Sequence, residues 1–300
     1  MEQMSRGAAG AATDAWKAGP ALDFRPVSDV LGAECDMLDL STPVTDVVRD
    51  QIFAAFRRHH LLVFRGQQLD KESMYRFATL FGEIEGHKIR LADGSQWDAV
   101  HTITNLDAQG NPVEKPFINS NYFWHSDKSF LPTPSLTTML HAVEIPPKGG
   151  DTQFANMTAA YEDLPEETKR RIAGLKVVQS LEFMRRYTGS APPTEDDLAS
   201  APPVRHPLVR THPETGAKSL YIGMYSSHID GMPEEEGREL LEHLLAHATQ
   251  PRFIYTHQWR AGDLVFWDNR CLLHRAVANY EMGRHRRILM RVVVRGDAPR

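Results

Sequence analysis

Asn-Tyr-Phe-Trp-His-Ser-Asp-Lys-Ser-Phe, residues 121–130, is the stretch from which the fold and the site of this protein are interpreted. It places His125 and Asp127 two residues apart among aromatic side chains. On a β-strand, side chains at i and i+2 point to the same face, so a strand here would direct an imidazole and a carboxylate at one point. With a second histidine from elsewhere, they would form the open two-histidine, one-carboxylate site of non-haem Fe(II) oxygenases. Such a site leaves coordination positions for a cosubstrate and for O2.

The sequence holds a second His-x-Asp at residues 228–230, so the spacing alone does not identify the site. The second motif runs into Gly-Met-Pro directly before a predicted helix, a context in which Asp serves turns and helix caps. The first motif has no Gly or Pro within 121–130, where a strand is plausible. We therefore place the metal site at the first motif.

The third metal ligand must be a histidine from a distant part of the chain. His274 is the strongest candidate, because it ends a strand-like apolar run. His257 and His141 are weaker candidates, since half-buried histidines of a protein core show the same pattern. His243 and His247 lie four residues apart on a predicted helix, a spacing also used for zinc, but no further ligand can be assigned beside them.

Composition and charge narrow the function class. The 300 residues include 34 Lys and Arg against 39 Asp and Glu, which gives a formal net charge of −5. This balance argues against a general nucleic-acid binder and still allows a local basic pocket for a small anion. Only Cys35 and Cys271 are present, which predicts a reducing, cytoplasmic compartment and excludes a cysteine-based metal site. No apolar run approaches a membrane span in length, so no membrane partner is expected.

The hydrophobic pattern predicts a mainly β fold with flanking helices, an antiparallel sandwich or barrel. We expect residues 1–20 to be a flexible N-terminal extension and 21–300 a single domain. The proline-rich segment near 186–205 is expected to be a mobile loop. Helices are predicted at 44–60, 70–81, 157–164, 165–175 and 233–249, with an apolar stripe on the first and Asp70 as the N-cap of the second. Strands are predicted at 61–64, 97–105, 135–145, 252–259, 263–268, 271–277 and 285–295, with two short strands within 22–40, a turn and strand at 149–156 and a hairpin at 208–222 whose turn is at 214–216.

Six motifs distributed along the chain are together highly specific. They are Leu-Val-Phe-Arg-Gly-Gln (62–67), Trp-His-Ser-Asp (124–127), Gly-Gly-Asp-Thr (149–152), Leu-Tyr-Ile-Gly (220–223), His-Ala-Thr-Gln (247–250) and Gly-Asp-Leu-Val-Phe-Trp-Asp-Asn-Arg (262–270). In these motifs the chain resembles the Fe(II)- and 2-oxoglutarate-dependent dioxygenases of the taurine dioxygenase and 2,4-dichlorophenoxyacetate dioxygenase family. Residues 215–223 and 227–231 resemble the phenoxyacetate branch more closely than the taurine branch.

The resemblance implies a double-stranded β-helix, or jelly roll, with the metal between its sheets. It assigns His125, Asp127 and His274 to Fe(II), and Thr152 and Arg287 to the cosubstrate 2-oxoglutarate. A guanidinium with a hydroxyl beside it suits the far carboxylate of a keto-diacid that chelates iron through its other end. O2 is the second cosubstrate.

The sequence alone does not decide which of three neighbouring arginines binds 2-oxoglutarate. Arg287 follows His274 by 287 − 274 = 13 residues, slightly more than in the family pattern, so Arg286 and Arg284 are alternatives. A basic edge strand without a ligand would also account for this segment.

The substrate implied is a small organic anion. Arg291 matches the family position that binds the taurine sulfonate or the aryloxyacetate carboxylate, Asn121 matches a pocket residue, and Lys88 lies in a segment used near the pocket. The expected reaction is hydroxylation of an aryloxyalkanoate followed by ether cleavage, with an alkyl sulfonate or sulfate as the alternative substrate. A metal-dependent hydrolase and a non-catalytic binding barrel are further alternatives, and the family implies a homo-oligomer.

Overall fold

The structure is a computed structural model that describes residues 21–86, 99–114 and 119–300. The extension predicted for residues 1–20 and the candidate pocket residue Lys88 lie outside these ranges. Among the described residues, no helix is long and apolar enough to cross a membrane.

The described residues form a mainly β fold with flanking helices, as the sequence predicts. The strands are β1 (Arg25–Pro26), β2 (Ala33–Cys35), β3 (Leu61–Phe64), β4 (His101–Thr104), β5 (Ser135–Glu144), β6 (Thr152–Asn156), β7 (Lys176–Gln179), β8 (Val204–Pro207), β9 (Val209–Thr211), β10 (Lys218–Leu220), β11 (Ser226–Ile229), β12 (Ile254–His257), β13 (Leu264–Asp268), β14 (Leu272–Ala276) and β15 (Ile288–Arg295). The helices are α1 (Asp46–His59), α2 (Lys71–Ala78), α3 (Met157–Glu162), α4 (Glu166–Ile172), α5 (Leu181–Tyr187), α6 (Glu195–Ser200) and α7 (Glu234–Ala248).

Two of the sheets enclose a cavity lined by His125, Asp127 and His274. The larger has the order β1-β2-β3-β13-β5-β15-β4, and β2 with β3 is its parallel pair. The smaller has the order β12-β6-β14, and both of its pairs are antiparallel. Side chains from β5, β13 and β15 line one side of the cavity, and side chains from β6 and β14 line the other. The cavity therefore lies between the two sheets.

The outer face of the larger sheet is covered by α1 and α2. Helix α1 buries Val48, Ile52 and Phe56 of its predicted apolar stripe. Asp70 is the N-cap of α2, as predicted, and forms a capping box with Ser73. The fully buried ring of Phe266 on β13 lies beneath both helices. Its centroid lies 5.0–5.9 Å from four other phenylalanine rings, those of Phe56, Phe64, Phe77 and Phe81.

The prediction of a strand at residues 121–130 is wrong. A short 3-10 turn occupies Asn119–Tyr122, and His125 forms an isolated bridge with His274. A turn begins at Asp127, and Lys128 takes a left-handed backbone conformation with φ of 54°. The ligand spacing therefore lies on a bridge and a turn instead of a regular strand.

The segment predicted as a mobile loop contains regular structure. Helix α6 lies within it and begins with a capping box between Thr194 and Asp197. Strand β7, which the sequence did not predict, pairs with β8 and β11 to form a separate small sheet. Mobility near 186–205 stays a prediction.

Phe266→Ala tests the core described above. We expect the free energy of unfolding to fall by about 3–5 kcal/mol, because the substitution leaves a cavity among four aromatic rings. Urea unfolding of the metal-free protein measures this loss. Met37→Ala is the control, since Met37 is 55% exposed and its truncation should change stability by less than about 0.5 kcal/mol. Equal effects of the two substitutions would contradict this account of the core.

Candidate active site

Three buried side chains meet at the centre of the cavity. The Nε2 atom of His125 lies 3.9 Å from Oδ1 of Asp127, and Nε2 of His274 lies 3.7 Å from Oδ2 of the same carboxylate. The two imidazole centroids are 4.1 Å apart. One ligand atom from each residue lies within 4.8 Å of the others, close enough to share one metal ion.

The two histidines are held by the backbone. The amide of His125 donates to the carbonyl of His274 at 3.1 Å, and the amide of His274 donates to the carbonyl of His125 at 2.8 Å. Residues directly opposite in an antiparallel pair project their side chains to the same face, so both rings point into the cavity. The Nδ1–H of His125 donates to the carbonyl of Phe123 at 2.7 Å, which leaves Nε2 with a free lone pair.

The protonation states of the three groups suit a metal. Burial lowers the pKa of both His125 and His274, so both imidazoles are neutral at pH 7. Burial alone would raise the pKa of Asp127, but Arg291 at 2.7 Å and the hydrogen bond from Thr138 hold this pKa well below its usual range. Two neutral imidazoles and one carboxylate are the donor set of non-haem Fe(II) sites, so these residues fit that ion.

Asp127 lies on a turn and is oriented by a buried hydrogen-bond network that the sequence did not predict. The hydroxyl of Thr138 donates to its Oδ2 atom, and the amide of Asn269 donates to that hydroxyl at 3.1 Å. The Asn269 carbonyl oxygen accepts from the backbone of Asp127 at 3.3 Å and from the indole of Trp267 at 3.1 Å. The polar sequence Asp-Asn-Arg at 268–270 lies between two apolar runs, and this was the feature of the sequence that could have indicated the network.

The far side of the cavity carries an unpaired cation. Arg287 and Thr152 both line the cavity, and Nε of Arg287 donates to the carbonyl of Gly150 at 3.0 Å. In the part of the chain that the structure describes, Arg287 makes no ion pair with a carboxylate. Because a half-buried charge without a partner is unfavourable, this guanidinium provides a site for an anion.

The two alternative arginines lie elsewhere. Arg286 is exposed and pairs with Glu144 at 2.9 Å, and Arg284 is exposed and pairs with Glu281 at 3.1 Å. Of the three candidates, Arg287 is the one that lines the cavity. Asn121 and Arg291 line the same cavity, together with Ile103, Leu140, Trp267, Ala276 and Leu289.

Comparison with known proteins identifies the family. The family model "Taurine catabolism dioxygenase TauD, TfdA family" matches residues 23–293. The chain belongs to this family. Its members include the α-ketoglutarate-dependent dioxygenases, which are oxidoreductases, so the predicted enzyme class and the predicted family are confirmed.

The similar proteins favour the phenoxyacetate branch, as predicted. The chain is 43% identical over 223 residues to the α-ketoglutarate-dependent 2,4-dichlorophenoxyacetate dioxygenase of Burkholderia sp. (strain RASC), covering 72% of this chain and 75% of that protein. It is 34% identical to the (S)-phenoxypropionate/α-ketoglutarate dioxygenase of Sphingobium herbicidovorans, over 86% of this chain and 90% of that protein. The crystal structure of AAD-2 with Mn(II) and N-oxalylglycine superposes with a TM-score of 0.83 and 35% identity, covering 93% of this chain and 98% of that one.

The other candidate histidines of this dioxygenase, His141, His243, His247 and His257, do not belong to the group of potential metal ligands formed by His125, Asp127 and His274. His141 hydrogen-bonds the carbonyl of Gln67 at 3.1 Å, and His257 hydrogen-bonds Asp263 at 3.1 Å. On α7, His247 hydrogen-bonds the carbonyl of Ala160. These contacts give the three side chains structural partners away from the cavity.

The second His-x-Asp motif is also structural. His228 is on β11, and Asp230 lies in the turn that follows, as one of the two predicted roles requires. Asp230 makes an ion pair with Arg205 at 2.9 Å, and helix α7 has no side-chain cap, so the alternative capping role is wrong.

A second group of potential ligands consists of half-buried His60 and fully buried Asp268 and Cys271. Arg270 binds both carboxylate oxygens of Asp268, at 2.8 and 2.7 Å. The carboxylate is therefore already neutralised by a cation, and the group is better described as a buried ion pair than as a metal site.

Thr138→Val tests the network behind Asp127. The substitution keeps the shape of the side chain and removes the hydroxyl that orients the carboxylate, so we expect the dissociation constant for Mn(II) to rise about tenfold. Isothermal titration calorimetry measures it. Thr137→Val is the matched control, because its buried hydroxyl has no hydrogen-bond partner among the described residues. A similar rise in both variants would argue against a specific role of Thr138.

Proposed function

We propose that this dioxygenase hydroxylates a small aryloxyalkanoate at the carbon next to the ether oxygen, with Fe(II), 2-oxoglutarate and O2. The observation that carries the proposal is that a buried metal-ligand cluster and two guanidinium groups face one cavity. The similarity to phenoxyacetate and phenoxypropionate dioxygenases supports the substrate class.

We assign His125, Asp127 and His274 as the iron ligands. Bound Fe(II) supplies O2 activation and the oxidative decarboxylation of 2-oxoglutarate to succinate and CO2. The protein contributes the fixed ligand face and a cavity enclosed by two sheets. The burial of all three ligands supports this division of roles, because it limits the access of water.

We assign the far carboxylate of 2-oxoglutarate to Thr152 and Arg287. The support is that a hydroxyl and an unpaired guanidinium line the same side of the cavity. The hydrogen bond from Nε of Arg287 to Gly150 leaves its terminal nitrogens available for a bidentate contact with a carboxylate.

We assign the substrate carboxylate to Arg291, with Asn121 as a further pocket residue. One nitrogen of Arg291 contacts Asp127, and its side chain is 18% exposed, so further N–H groups are available to an incoming anion. Apolar side chains nearby, those of Ile103, Leu140 and Leu289, suit the carbon skeleton of the substrate. Lys88 stays a predicted pocket residue outside the described ranges.

The charges of the site support a monoanionic substrate. Two guanidinium groups, one carboxylate and a divalent ion leave three net positive charges in a largely buried cavity. The 2-oxoglutarate dianion balances two of them, and one carboxylate on the substrate balances the third. Buried charges are stable only when they are paired, so this balance favours a substrate with one negative charge.

The proposed reaction balances as follows. One atom of O2 enters the C–H bond next to the ether oxygen, and the other enters the new carboxylate of succinate as CO2 is released. The hydroxylated product is a hemiacetal of the aryl ether. Loss of the aryl oxygen with a proton gives a phenol and a 2-oxo acid. An alkyl sulfonate or sulfate would use the same Arg291, whereas a hydrolase or a binding barrel would have no use for the pair Thr152 and Arg287.

We further propose the architecture and setting that the family resemblance implies. The two sheets around the cavity would be the halves of a double-stranded β-helix, in one domain spanning residues 21–300. A homo-oligomer and a cytoplasmic location are also proposed. Light scattering after size-exclusion chromatography tests the assembly, and a mass equal to that of one chain would exclude it.

Arg287→Met tests the cosubstrate site. Loss of the guanidinium should raise KM for 2-oxoglutarate at least about 30-fold, because a buried charge pair contributes about 2 kcal/mol or more. Succinate release at saturating substrate measures this change. Arg286→Met is the matched control, since that arginine is exposed and pairs with Glu144. If Arg286→Met has the larger effect, the cosubstrate arginine has been misassigned.

Arg291→Met tests the substrate class. In the unsubstituted enzyme, 2,4-dichlorophenoxyacetate and phenoxypropionate should stimulate succinate release more than taurine or an alkyl sulfate does. In the variant, kcat/KM for the aryloxy acid should fall about 30- to 150-fold. Arg295→Met, on the same strand and exposed, is the control. Stimulation by sulfonates alone would reject the aryloxyalkanoate.

A further inference from the structure

The hydroxyl of Thr152 has one hydrogen-bond donor behind it. The indole Nε1–H of Trp259 donates to Oγ1 of Thr152 at 3.0 Å. Both side chains are buried, with exposures of 7% and 4%. Trp259 lies outside the six family motifs and does not line the active-site cavity, whereas Thr152 does.

This contact fixes the polarity of the hydroxyl. An indole nitrogen donates only, whereas a hydroxyl can both donate and accept. Because Thr152 accepts from Trp259, its own proton is directed elsewhere, and the cavity that contains Arg287 adjoins its side chain. The cosubstrate end of the cavity then presents hydrogen-bond donors, which is the arrangement that a carboxylate requires.

The indole is held in place by buried neighbours. Strand β12 pairs with β6 so that His257 lies opposite Thr152, and Trp259 follows two residues later. The His257 ring packs edge-on against the indole, with centroids 4.6 Å apart at 84°. Burial lowers the pKa of His257 and keeps its ring neutral, so Nε2–H donates to Asp263 at 3.1 Å and Nδ1 accepts from Tyr255 at 3.0 Å.

The support extends to the protein surface. Arg65 pairs with Asp263 at 2.8 Å, and the Asp263 carboxylate also accepts from the backbone amide of Arg260 at 2.9 Å. Asp263 therefore fixes His257, which packs against Trp259. A ring held on this side has little freedom to turn its N–H away from Thr152.

We propose that Trp259 is a positioning residue for the cosubstrate, acting through Thr152. Its indole N–H occupies a lone pair of the Thr152 hydroxyl and thereby aims the hydroxyl proton at the far carboxylate of 2-oxoglutarate. The inference rests on the proposed function, because it assigns that carboxylate to Thr152 and Arg287. It adds a residue that does not itself touch the ligand.

A double-mutant cycle tests the proposal. Trp259→Phe keeps an aromatic ring and removes the donor, and Thr152→Val removes the hydroxyl. In the Mn(II)-loaded protein, Trp259→Phe should raise the dissociation constant for 2-oxoglutarate about three- to tenfold, as expected for one hydrogen bond. On the Thr152→Val background, the same substitution should change it less than twofold. Calorimetry measures all four proteins, and Gln258→Ala, at an exposed neighbouring position, is the control.

Two further readouts separate positioning from general damage. Mn(II) affinity should stay within twofold of the unsubstituted protein, and in the Trp259→Phe enzyme KM for 2-oxoglutarate should rise while kcat at saturation stays within twofold. A second measurement leaves Trp259 intact: in ¹⁵N-labelled protein, Thr152→Val should shift the Trp259 indole N–H resonance. This second test also applies if the Trp259 variant does not fold.

The outcomes distinguish this inference from the proposed function. If the unsubstituted protein binds Mn(II) but not 2-oxoglutarate, the proposed function fails. If it binds 2-oxoglutarate and Trp259→Phe has no effect, or has the same effect with and without the Thr152 hydroxyl, the role of Trp259 is overturned alone. An indole resonance that is unchanged by Thr152→Val would also overturn it.

Discussion

The site depends on two backbone hydrogen bonds between His125 and His274. These residues are 274 − 125 = 149 positions apart, yet each donates its amide to the carbonyl of the other. The reciprocal pair places both imidazoles on one face of the ladder. The partner strand β14 is in turn fixed by β6, which also carries Thr152. The bridge therefore fixes the positions of the two histidines relative to each other and to Thr152 on β6.

The other polar side chains of the site are oriented by individual hydrogen bonds and not by backbone pairing between strands. Asp127 lies on a turn, and Thr138 and Asn269 hold its carboxylate from behind. Arg287 and Thr152 are each held by one contact outside the cavity, from Gly150 and Trp259. Asp127, Thr152, Arg287 and His125 therefore each have a hydrogen-bond partner that limits the rotation of the side chain. Such support is what a reactive site needs if it is to bind ligands in one geometry.

The sequence predicted the mainly β class, the family and seven of the side chains that line the cavity. The motifs carried this information, because the chemistry of a metal site restricts residue type and spacing. Local structure at 121–130 was not predictable, since the bridge at His125 depends on His274 in distant β14. The side chain of Lys128, where the backbone turns left-handed, pairs with distant Glu85. The roles of Asn269 and Trp259 were missed because they come from hydrogen bonds across the fold. The polar sequence around Asn269 indicated a buried polar group but not which side chain it would contact.

In the proposed site, three side chains hold one ion beside a keto-diacid. A crystal structure of the protein with Mn(II) and N-oxalylglycine tests this arrangement. We expect the ion within ligand distance of His125, Asp127 and His274, and the far carboxylate of N-oxalylglycine between Thr152 and Arg287. An ion bound elsewhere, or a carboxylate that does not contact Arg287, would contradict it.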